Sequence, residues 1–391
     1  MRILIIGGTQ FVGRHITAAA LAAGHEVSLL HRGRTGPDLF PEAEHLTADR
    51  NADLSILRGR RWDATIDVSA YLPPQIDSLA DALSTATGAD ADTDTDADAD
   101  RGADRGTDTA PDAERRESPA GRALAAGRYV FISSTAVYTV PPAPGFSEDS
   151  PLAEIDGPVP QEVTGETYGA LKVLCERTAV ARFGPGTLVV RPTYVIGPHD
   201  HTGRFTYWVN RIARGGEVLA PGDPSDPIQV IDGRDMASWI IGMLEKAGDT
   251  SARDGVAPAG AEIAAGTGGG SGTAGPGTFH AVSPAPPFSF GDMLETILAE
   301  VGPPGTTLTW VGQDFLLAEG EDGRSLPLWS EGNPWIAVNT ADPAAAHATG
   351  LSPRPLRRSV REIRESEASF STAVTITPER EADLLARWHS R

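Results

Sequence analysis

The first thirty residues show two hydrophobic patterns in succession. Residues 2–6 (RILII) form a continuous apolar run, which is typical of a strand in a parallel sheet covered on both faces. Apolar residues then recur with helical spacing over 11–23, where Gly24 ends the helix, and residues 26–30 form a second apolar strand. The sequence therefore predicts a βαβ unit, the smallest piece of a doubly wound fold.

The same alternation of strands and helices continues for most of the first half of the chain. Further strands are predicted over 45–48, 62–68, 128–133 and 187–191, and further helices over 74–84 and 168–183. Strands that alternate with helices imply a parallel sheet with right-handed crossovers. We therefore expect the α/β class, with a doubly wound (Rossmann) parallel sheet.

The pattern changes beyond residue 200, where loops lengthen and prolines and tryptophans become commoner. We expect a nucleotide-binding domain over 1–200 and a smaller mixed substrate lobe over 201–391, from which some elements return to the sheet. Capping residues mark helix starts in this lobe. They are Ser289 with Asp292 before a helix over 290–301, Thr377 with Pro378 before a helix towards Trp388, and Asp232, Arg234 and Asp235 around a helix beginning near Met236.

Two stretches interrupt the pattern and have little that could be buried. Residues 88–121 alternate Asp, Ala and Thr, and residues 249–277 are rich in Gly, Ala and Thr. We expect both to be disordered insertions in surface loops. The acidic alternation does not predict a calcium loop, because it lacks the glycine and the final glutamate that an EF-hand requires.

Composition narrows the possible function and location. The net charge is −20, and no cluster of Lys and Arg suggests a nucleic-acid groove. No apolar run approaches the ~18 residues of a membrane span, and the N-terminal apolar run is too short for a signal peptide. The single cysteine, Cys175, excludes an internal disulfide, indicates a reducing, cytoplasmic location, and is expected to be a buried spectator in a helix.

A glycine-rich turn follows the first strand and opens the first helix. Gly7 permits a tight turn and Gly13 lets the helix pack close to the sheet, while the helix N-terminus offers free N–H groups to a pyrophosphate. Gln10 stands where such turns usually have their middle glycine. The turn therefore predicts a dinucleotide cofactor. Its predicted contacts along the turn are Gly7, Gly8, Thr9, Gln10, Phe11, Val12 and Gly13.

The end of the second strand bears on the choice between NAD and NADP. An acid there would bind the ribose 2′-hydroxyl of NAD, but this strand runs into His31-Arg32-Gly33-Arg34. Arg32 could bind a 2′-phosphate, which favours NADP slightly, although a solvated basic loop is the alternative. Asp49 is placed to meet the adenine amino group. Other predicted cofactor residues are Arg50, Ser69 and Ala70.

A Tyr-x-x-x-Lys pair provides candidate chemistry. The chain has only two lysines, and one of them, Lys172, follows Tyr168 by four positions on a predicted helix, so that both share one face. A free phenol titrates near ~10, and an ammonium and a nicotinamide charge nearby would lower that pKa. Tyr168 could then exchange a proton with a substrate alcohol while Lys172 holds the nicotinamide ribose. Ser134, at a strand end, would hydrogen-bond the reacting oxygen.

Five segments resemble the extended short-chain dehydrogenase/reductase family, which is NAD-dependent epimerase/dehydratase-like. They are MRILIIGGTQFVGRHI, RYVFISSTAVY, YGALK, RPTYVIGP and QVIDGRDMASWI, and the likeness extends to about residue 239. The resemblance implies hydride transfer between NAD(P) and a secondary alcohol or ketone of a sugar-like or other small polar substrate. It also implies that Ser134, Tyr168 and Lys172 are the triad, and that a homodimer is plausible.

Departures from the family pattern restrict the substrate. Thr135-Ala136 stands where 4,6-dehydratases carry an Asp-Glu pair, which argues against sugar dehydration. Tyr194 and Ile228 stand where epimerases similar to UDP-galactose 4-epimerase use an asparagine and an arginine on the diphosphate; Arg204 or Arg211 could replace that arginine. The predicted substrate residues are Tyr71, Thr135, Tyr194, His199 and Arg204.

Alternatives of other classes stay open at this point. The GGTQFVG turn also resembles atypical family members, including the chloroplast stem-loop RNA-binding proteins, so that the fold could serve RNA binding. A cofactor-binding regulator without turnover is a third possibility. His199-Asp200-His201 lacks a third clear ligand spacing, so no metal site is predicted, and a substrate-facing loop is preferred over a plain loop.

Overall fold

A computed structural model of the chain describes residues 1–84, 127–139, 142–253, 277–283, 288–330, 335–366 and 375–391. The strands in chain order are β1 (Arg2–Ile6), β2 (Glu26–His31), β3 (Glu44–Thr47), β4 (Ala64–Asp67), β5 (Arg128–Ile132), β6 (Leu188–Pro192), β7 (Tyr194–Ile196), β8 (Glu217–Pro221), β9 (Val230–Asp232), β10 (Thr278–Ala281) and β11 (Thr307–Val311). The helices are α1 (Phe11–Ala22), α2 (Pro73–Ala82), α3 (Gly165–Phe183), α4 (Arg204–Ala213), α5 (Gly233–Arg253), α6 (Phe290–Val301), α7 (Gln313–Ala318), α8 (Ala344–Ala348), α9 (Leu356–Glu365) and α10 (Pro378–His389).

The central sheet confirms the predicted fold class. Within the described ranges it has seven strands in the order β10-β6-β5-β4-β1-β2-β3, and every neighbouring pair is parallel. The chain winds outward from β1 in both directions, as a doubly wound sheet requires. β10 joins the sheet from beyond residue 200, so part of the second half of the chain does return to it.

Helices cover both faces of this sheet. Ile3 and Ile5 of β1 pack with α1 and α5 on one face, and Leu4 and Ile6 pack with α2 and α3 on the other, because successive side chains of a strand point to opposite faces. Cys175 of α3 is fully buried in the second of these cores, where burial raises the pKa of its thiol to about 12. The thiol is therefore a packing group, as expected.

A further core lies in the second half of the chain, away from the two faces of the central sheet. It is formed by α4, α6 and α9 with a small sheet in which β8 pairs with β11. Ser289 and Asp292 make the predicted reciprocal cap at the start of α6, and Thr377 caps α10. β7 and β9 pair separately, with Tyr194 opposite Val230, and connect this core to the strand ends of the central sheet.

Several boundaries differ from the sequence predictions. α3 begins at Gly165, capped by Thr164, so that Tyr168 lies one turn inside the helix. α5 begins at Gly233 and runs through the start of the predicted 249–277 insertion; the rest of that insertion up to residue 276 and all of 88–121 lie outside the described residues. None of the described helices has the length and apolar character needed to cross a membrane.

Candidate active site

A cleft of about 1550 Å³ opens where the central strands end. It exceeds the ~300–1,000 Å³ of a typical small-ligand pocket, which suits a dinucleotide together with a substrate. The structure brings most of the predicted residues to its wall. They are Gly7, Thr9, Gln10, Phe11, Val12, Arg32, Asp49, Arg50, Ser69, Tyr71, Ser134, Thr135, Tyr168, Lys172, Tyr194 and Arg204. Gly8, Gly13, Ala70 and His199 are not part of that lining.

The glycine turn is packed so closely that two of its glycines admit no side chain. A Cβ on Gly13 would lie 2.0 Å from the Gly7 carbonyl oxygen, and one on Gly8 would lie 2.6 Å from Leu29. Gly7 itself has φ +88°, which glycine adopts freely. Thr17 Oγ1 donates to the carbonyl oxygens of Gly8 and Gly13 at 2.9 Å, which ties the turn to α1. Gly8 and Gly13 therefore act by packing behind the cleft wall.

Gln10 occupies the position of the missing middle glycine without strain. Its φ of −128° and ψ of 136° are extended values that any residue adopts, and its side chain does not cap α1. The unusual backbone angle falls on the next residue, because Phe11 has φ +35°. Such angles cost a non-glycine residue conformational energy, and residues that adopt them cluster at functional sites. The start of α1 thus keeps N–H groups free of a side-chain cap beside the cleft.

Basic side chains surround the cleft at the end of β2. Arg32 and Arg34 are exposed and line the wall close to Asp49. The backbone N–H and the side chain of Asn51 lower the pKa of Asp49, and the charges of Arg32 and Arg34 lower it further. This part of the wall therefore carries positive charge and no carboxylate directly after β2.

Arg50 lies on the cleft wall, but its guanidinium is already engaged. It forms a two-pronged ion pair with the buried Asp67, with N···O distances of 2.7 and 2.8 Å, and donates to Ser69 Oγ at 3.1 Å. The phenol of Tyr129 donates to the same carboxylate at 2.9 Å. Arg50 therefore supports the turn after β4. Sequence reasoning missed Asp67, although an acid at the end of an apolar strand was the available signal.

Ser134 and Tyr168 come together at the end of β5. Ser134 follows β5 and precedes a 3₁₀ turn, and its Oγ accepts from the backbone N–H of Ala136 at 3.1 Å. Tyr168 approaches it from α3, and the Ser134 hydroxyl acts on the phenol to lower its pKa. The two elements pack tightly, because a Cβ on Gly169 would lie 2.1 Å from the Ala136 carbonyl oxygen. The predicted pair is thus assembled on the cleft wall.

The pKa of Tyr168 differs from the expected direction. Burial raises this pKa above its usual value of 10.0, and the nearby Tyr71 adds to the rise. The hydrogen bond with Ser134 and the charge of Arg204 act in the opposite direction. Lys172 is not among the main influences on this pKa, and its ammonium is bonded to two backbone carbonyls. Arg204 is instead the cation that favours the phenolate.

Lys172 is part of the cleft wall and is almost fully buried. Its Nζ donates to the carbonyl oxygens of Ala70 at 3.0 Å and Ile132 at 2.7 Å, and lies 4.1 Å from the centre of the Phe131 ring. Burial lowers the pKa of Lys172 from 10.5 to about 8. The ammonium therefore joins the end of β5 to the turn after β4, and Ala70 contributes its carbonyl to this link.

The lowered pKa of Lys172 predicts a pH-dependent stability difference between wild type and Lys172→Met. Between pH 8 and 10.5 the unfolded lysine binds more protons than the folded one. The wild type should therefore gain stability relative to the variant as the pH rises through this window, by at most about 1.4 kcal/mol per pH unit. Urea unfolding of both proteins at several pH values from 7.5 to 10.5 measures the difference. A constant or falling difference would contradict the low lysine pKa.

We call Ser134 and the 3₁₀ turn Thr135–Val137 that follows it the serine turn. A buried polar network lies directly behind it. Ser133 Oγ donates to Glu176 at 2.5 Å, and Arg191 pairs with the same carboxylate at 2.7 and 3.0 Å. Arg191 also donates to the Tyr138 phenol at 2.6 Å, which is 2.5 Å from His280 Nε2. Glu176 lies one helical turn beyond Lys172, so this network fixes α3 against the ends of β5 and β6. Its members are far apart in sequence, and sequence reasoning missed it.

The wall of the cleft beyond the serine turn contains Arg204 and Tyr194. The guanidinium of Arg204 lies over the Tyr194 ring at 5.1 Å, and its Nε donates to Thr202 Oγ1 at 3.3 Å. Thr135 Oγ1 is directed to the Pro192 carbonyl at 3.4 Å. Tyr71 is 43% exposed, and its ring centre lies 6.3 Å from that of Tyr168.

Two residues considered for the substrate lie elsewhere. The ring of His199 lies 6.1 Å from that of His15 on α1, away from the cleft, because φ at His199 is +67° and turns the loop there. His201 lines the cleft in its place. Arg211 is buried in an ion pair with Glu381 at 2.6 Å, so it cannot replace the missing diphosphate arginine. Over the described residues, no group of three or more His, Cys, Asp or Glu side chains is placed to hold a metal.

Comparisons with known proteins agree with this architecture. UDP-glucuronic acid 4-epimerase from Bacillus cereus, solved with NAD, has 14% identity and a TM-score of 0.55 over 95% of this chain and 100% of that one. A human epimerase family protein solved with NADPH has 18% identity and a TM-score of 0.53 over 93% and 99% of the two chains. At these identities the likeness shows a shared fold.

Matches by sequence identify the family. The chloroplast stem-loop binding protein of 41 kDa b from Arabidopsis thaliana is 24% identical over 245 residues, 62% of this chain and 55% of that protein. The curated relatives that match are spanned only in part, over 12% to 55% of their own length. Residues 3–254, well over half of the chain, match the model of a single family. The chain therefore belongs to the NAD dependent epimerase/dehydratase family.

Proposed function

We propose that the protein is an NAD(P)-dependent epimerase or oxidoreductase of the extended short-chain dehydrogenase type, with Tyr168 as acid/base. Its substrate would be a secondary alcohol or ketone, sugar-like or otherwise small and polar. One observation carries the proposal: Tyr168 lies on the wall of the same cleft as the glycine turn, close enough to Ser134 for the serine hydroxyl to lower the pKa of the phenol. This arrangement supports the proposal because hydride transfer needs the cofactor beside the substrate carbon and a proton donor or acceptor beside the oxygen on that carbon.

The residues of the cleft fit a nicotinamide dinucleotide. The turn around Gly7 brings backbone close to the wall, and the uncapped start of α1 suits a pyrophosphate. Asp49 and Arg32 would hold the adenosine end, while Lys172 and Tyr168, on the same cleft wall, would face the nicotinamide end. When bound, the cofactor accepts or gives a hydride at the substrate carbon. The two solved neighbours, which carry NAD and NADPH, support either form.

The side chains of the cleft supply the proton chemistry. Tyr168 would take the proton of a substrate alcohol during oxidation and return it during reduction. Ser134 would hold the reacting oxygen, and its own bond from the Ala136 N–H fixes its orientation. The positive charge of Arg204 favours the phenolate of Tyr168 in this exchange. An epimerase would rotate the ketone and reduce its other face with the same groups.

The substrate side of the cleft favours a ligand with an anionic group. Arg204 is held on the ring of Tyr194, close enough to the reacting centre to affect Tyr168. A carboxylate or phosphate on the substrate would pair with this guanidinium. The absence of acids at Thr135 and Ala136 argues against sugar dehydration.

We expect NADP to be preferred over NAD because of Arg32. The Arg32→Ser variant should bind NADPH about tenfold or more weakly, while NADH affinity stays unchanged, since only NADPH has a 2′-phosphate to pair with the guanidinium. Fluorescence titrations of both cofactors measure the effect. Arg58→Ser, which removes an exposed arginine outside the cleft, is the control. Equal weakening of both cofactors would count against the 2′-phosphate contact.

The deciding experiment combines cofactor release with turnover. The purified protein is denatured and the released nicotinamide is quantified; tightly retained cofactor favours an epimerase, and freely exchanging NADP favours a reductase. Turnover of secondary alcohols then separates an enzyme from a regulator that only binds cofactor. Salt-dependent binding of stem-loop RNA without turnover would support the RNA-binding alternative instead, which the net charge of −20 disfavours.

We further propose a cytoplasmic homodimer.

A further inference from the structure

Asn339 is a buried polar residue on the wall of the cleft. It ends a 3₁₀ turn (Trp335–Asn339), and only 1% of its surface is exposed. Its Nδ2 donates to Ser330 Oγ at 3.2 Å. Its Oδ1 has no hydrogen-bond partner within the ranges that the structure describes. Rotation of the amide would exchange the two atoms but would still leave one of them unpaired.

The position of Asn339 is fixed by the backbone that follows it. The side chain of Gln229 clasps Ala341, donating to its carbonyl oxygen at 2.8 Å and accepting from its N–H at 2.9 Å. Thr340 Oγ1 accepts from the N–H of Gly145 at 3.0 Å. Gln229 directly precedes Val230, which pairs with Tyr194. Asn339 is therefore anchored on the substrate side of the cleft, by the strand pair that carries Tyr194.

An unpaired buried amide oxygen is costly in a folded protein. Leaving such an acceptor without a partner costs about 1–3 kcal/mol, and most buried polar groups are satisfied. Gln229 holds the backbone two residues beyond Asn339, and the Asn339 side chain is buried in the wall rather than exposed to solvent. A hydrogen-bond donor within the cleft would remove this cost, and a substrate hydroxyl is a donor of suitable size.

We propose that Asn339 is a specificity-determining residue whose side-chain carbonyl accepts a hydrogen bond from a hydroxyl group of a polyhydroxylated substrate. This inference rests on the proposed function, which places the substrate in the cleft. The reacting alcohol contacts Tyr168 and Ser134, and the anionic group contacts Arg204. The hydroxyl read by Asn339 is a further one, so a substrate with a single hydroxyl leaves the amide unpaired.

Two acids with different hydroxyl content test the proposal by binding alone. D-gluconate and 3-hydroxybutyrate both have a carboxylate and a secondary alcohol, but only gluconate has further hydroxyls. Their affinities are measured by calorimetry for the Tyr168→Phe protein with saturating NADP⁺, with and without Asn339→Leu. Ser330→Ala, which removes only the existing partner of the amide, is the matched control. Asn339→Asp, which keeps an acceptor oxygen in place, is the conservative variant.

Gluconate should bind more tightly than 3-hydroxybutyrate by about tenfold or more, and Asn339→Leu should abolish this preference. Ser330→Ala and Asn339→Asp should retain it. The melting temperature of Asn339→Leu should not fall more than roughly 2 °C below that of its parent, because loss of the unpaired oxygen offsets loss of the hydrogen bond to Ser330. Equal affinities for the two acids, or a preference that survives Asn339→Leu, overturns the inference. An Asn339-dependent preference without turnover by the wild type would instead overturn the proposed function alone.

Discussion

Tyr168→Phe should lower kcat by about 10²- to 10⁴-fold while leaving cofactor affinity unchanged. The phenylalanine keeps the ring on the cleft wall but removes the hydroxyl that exchanges the proton and bonds to Ser134. The reacting oxygen then loses its acid or base while the glycine turn is untouched. Turnover by NADPH absorbance and binding by fluorescence quenching separate the two effects.

Tyr71→Phe is the matched control for this result. Tyr71 lies on the same wall, with its ring centre 6.3 Å from that of Tyr168, but its side chain has no place in the proposed proton exchange. Loss of the Tyr71 hydroxyl should change kcat by less than about tenfold. Undiminished turnover by Tyr168→Phe would remove the acid/base assignment on which the enzyme proposal depends.

Gly169→Ala should lower kcat by about 10²-fold and destabilise the protein by about 1–3 kcal/mol. The added Cβ would lie 2.1 Å from the carbonyl oxygen of Ala136, which is backbone and cannot turn aside. Either α3 or the serine turn must move, and Tyr168 and Ser134 sit on these two elements. The variant should therefore weaken both the fold and the alignment of the reacting groups.

Gly165→Ala, in the same helix, provides the comparison. A Cβ at Gly165 would meet nothing within 4 Å, so this alanine should be neutral or stabilising. Chemical unfolding and turnover are measured for both variants. If Gly169→Ala behaves like Gly165→Ala in both assays, α3 and the serine turn are not in the close contact described above.

Local sequence signals predicted the parts of the fold that depend on neighbouring residues. The glycine turn, the cap formed by Ser289 and Asp292, and the helix face shared by Tyr168 and Lys172 all involve residues at most a few positions apart. Backbone angles and helical spacing alone determine these features. The parallel, doubly wound sheet followed from the alternation of strands with helices, and the seven-stranded sheet confirms it.

Features that depend on distant residues could not be predicted in this way. Arg211 was a candidate for the substrate until the structure paired it with Glu381, 170 positions away. The ammonium of Lys172 is held in part by the carbonyl of Ala70, 102 positions earlier, and nothing in the local pattern around Tyr168 and Lys172 indicated this partner. A charged side chain selects among partners by geometry, and one sequence contains no record of that choice. Asn339 was not among the predicted site residues, because Gln229, which holds the segment after it, is distant in sequence.

The segment after Asn339 has a consequence for attempts to divide this protein. Asp342 accepts from His280 of the edge strand β10 at 2.9 Å and donates to the carbonyl of Phe146 at 2.8 Å, while Gln229 holds Ala341. A fragment that stops before this segment would leave His280 Nδ1, the Phe146 carbonyl and the Gln229 amide without these partners. The part of the chain before residue 340 is therefore a poor candidate for separate expression.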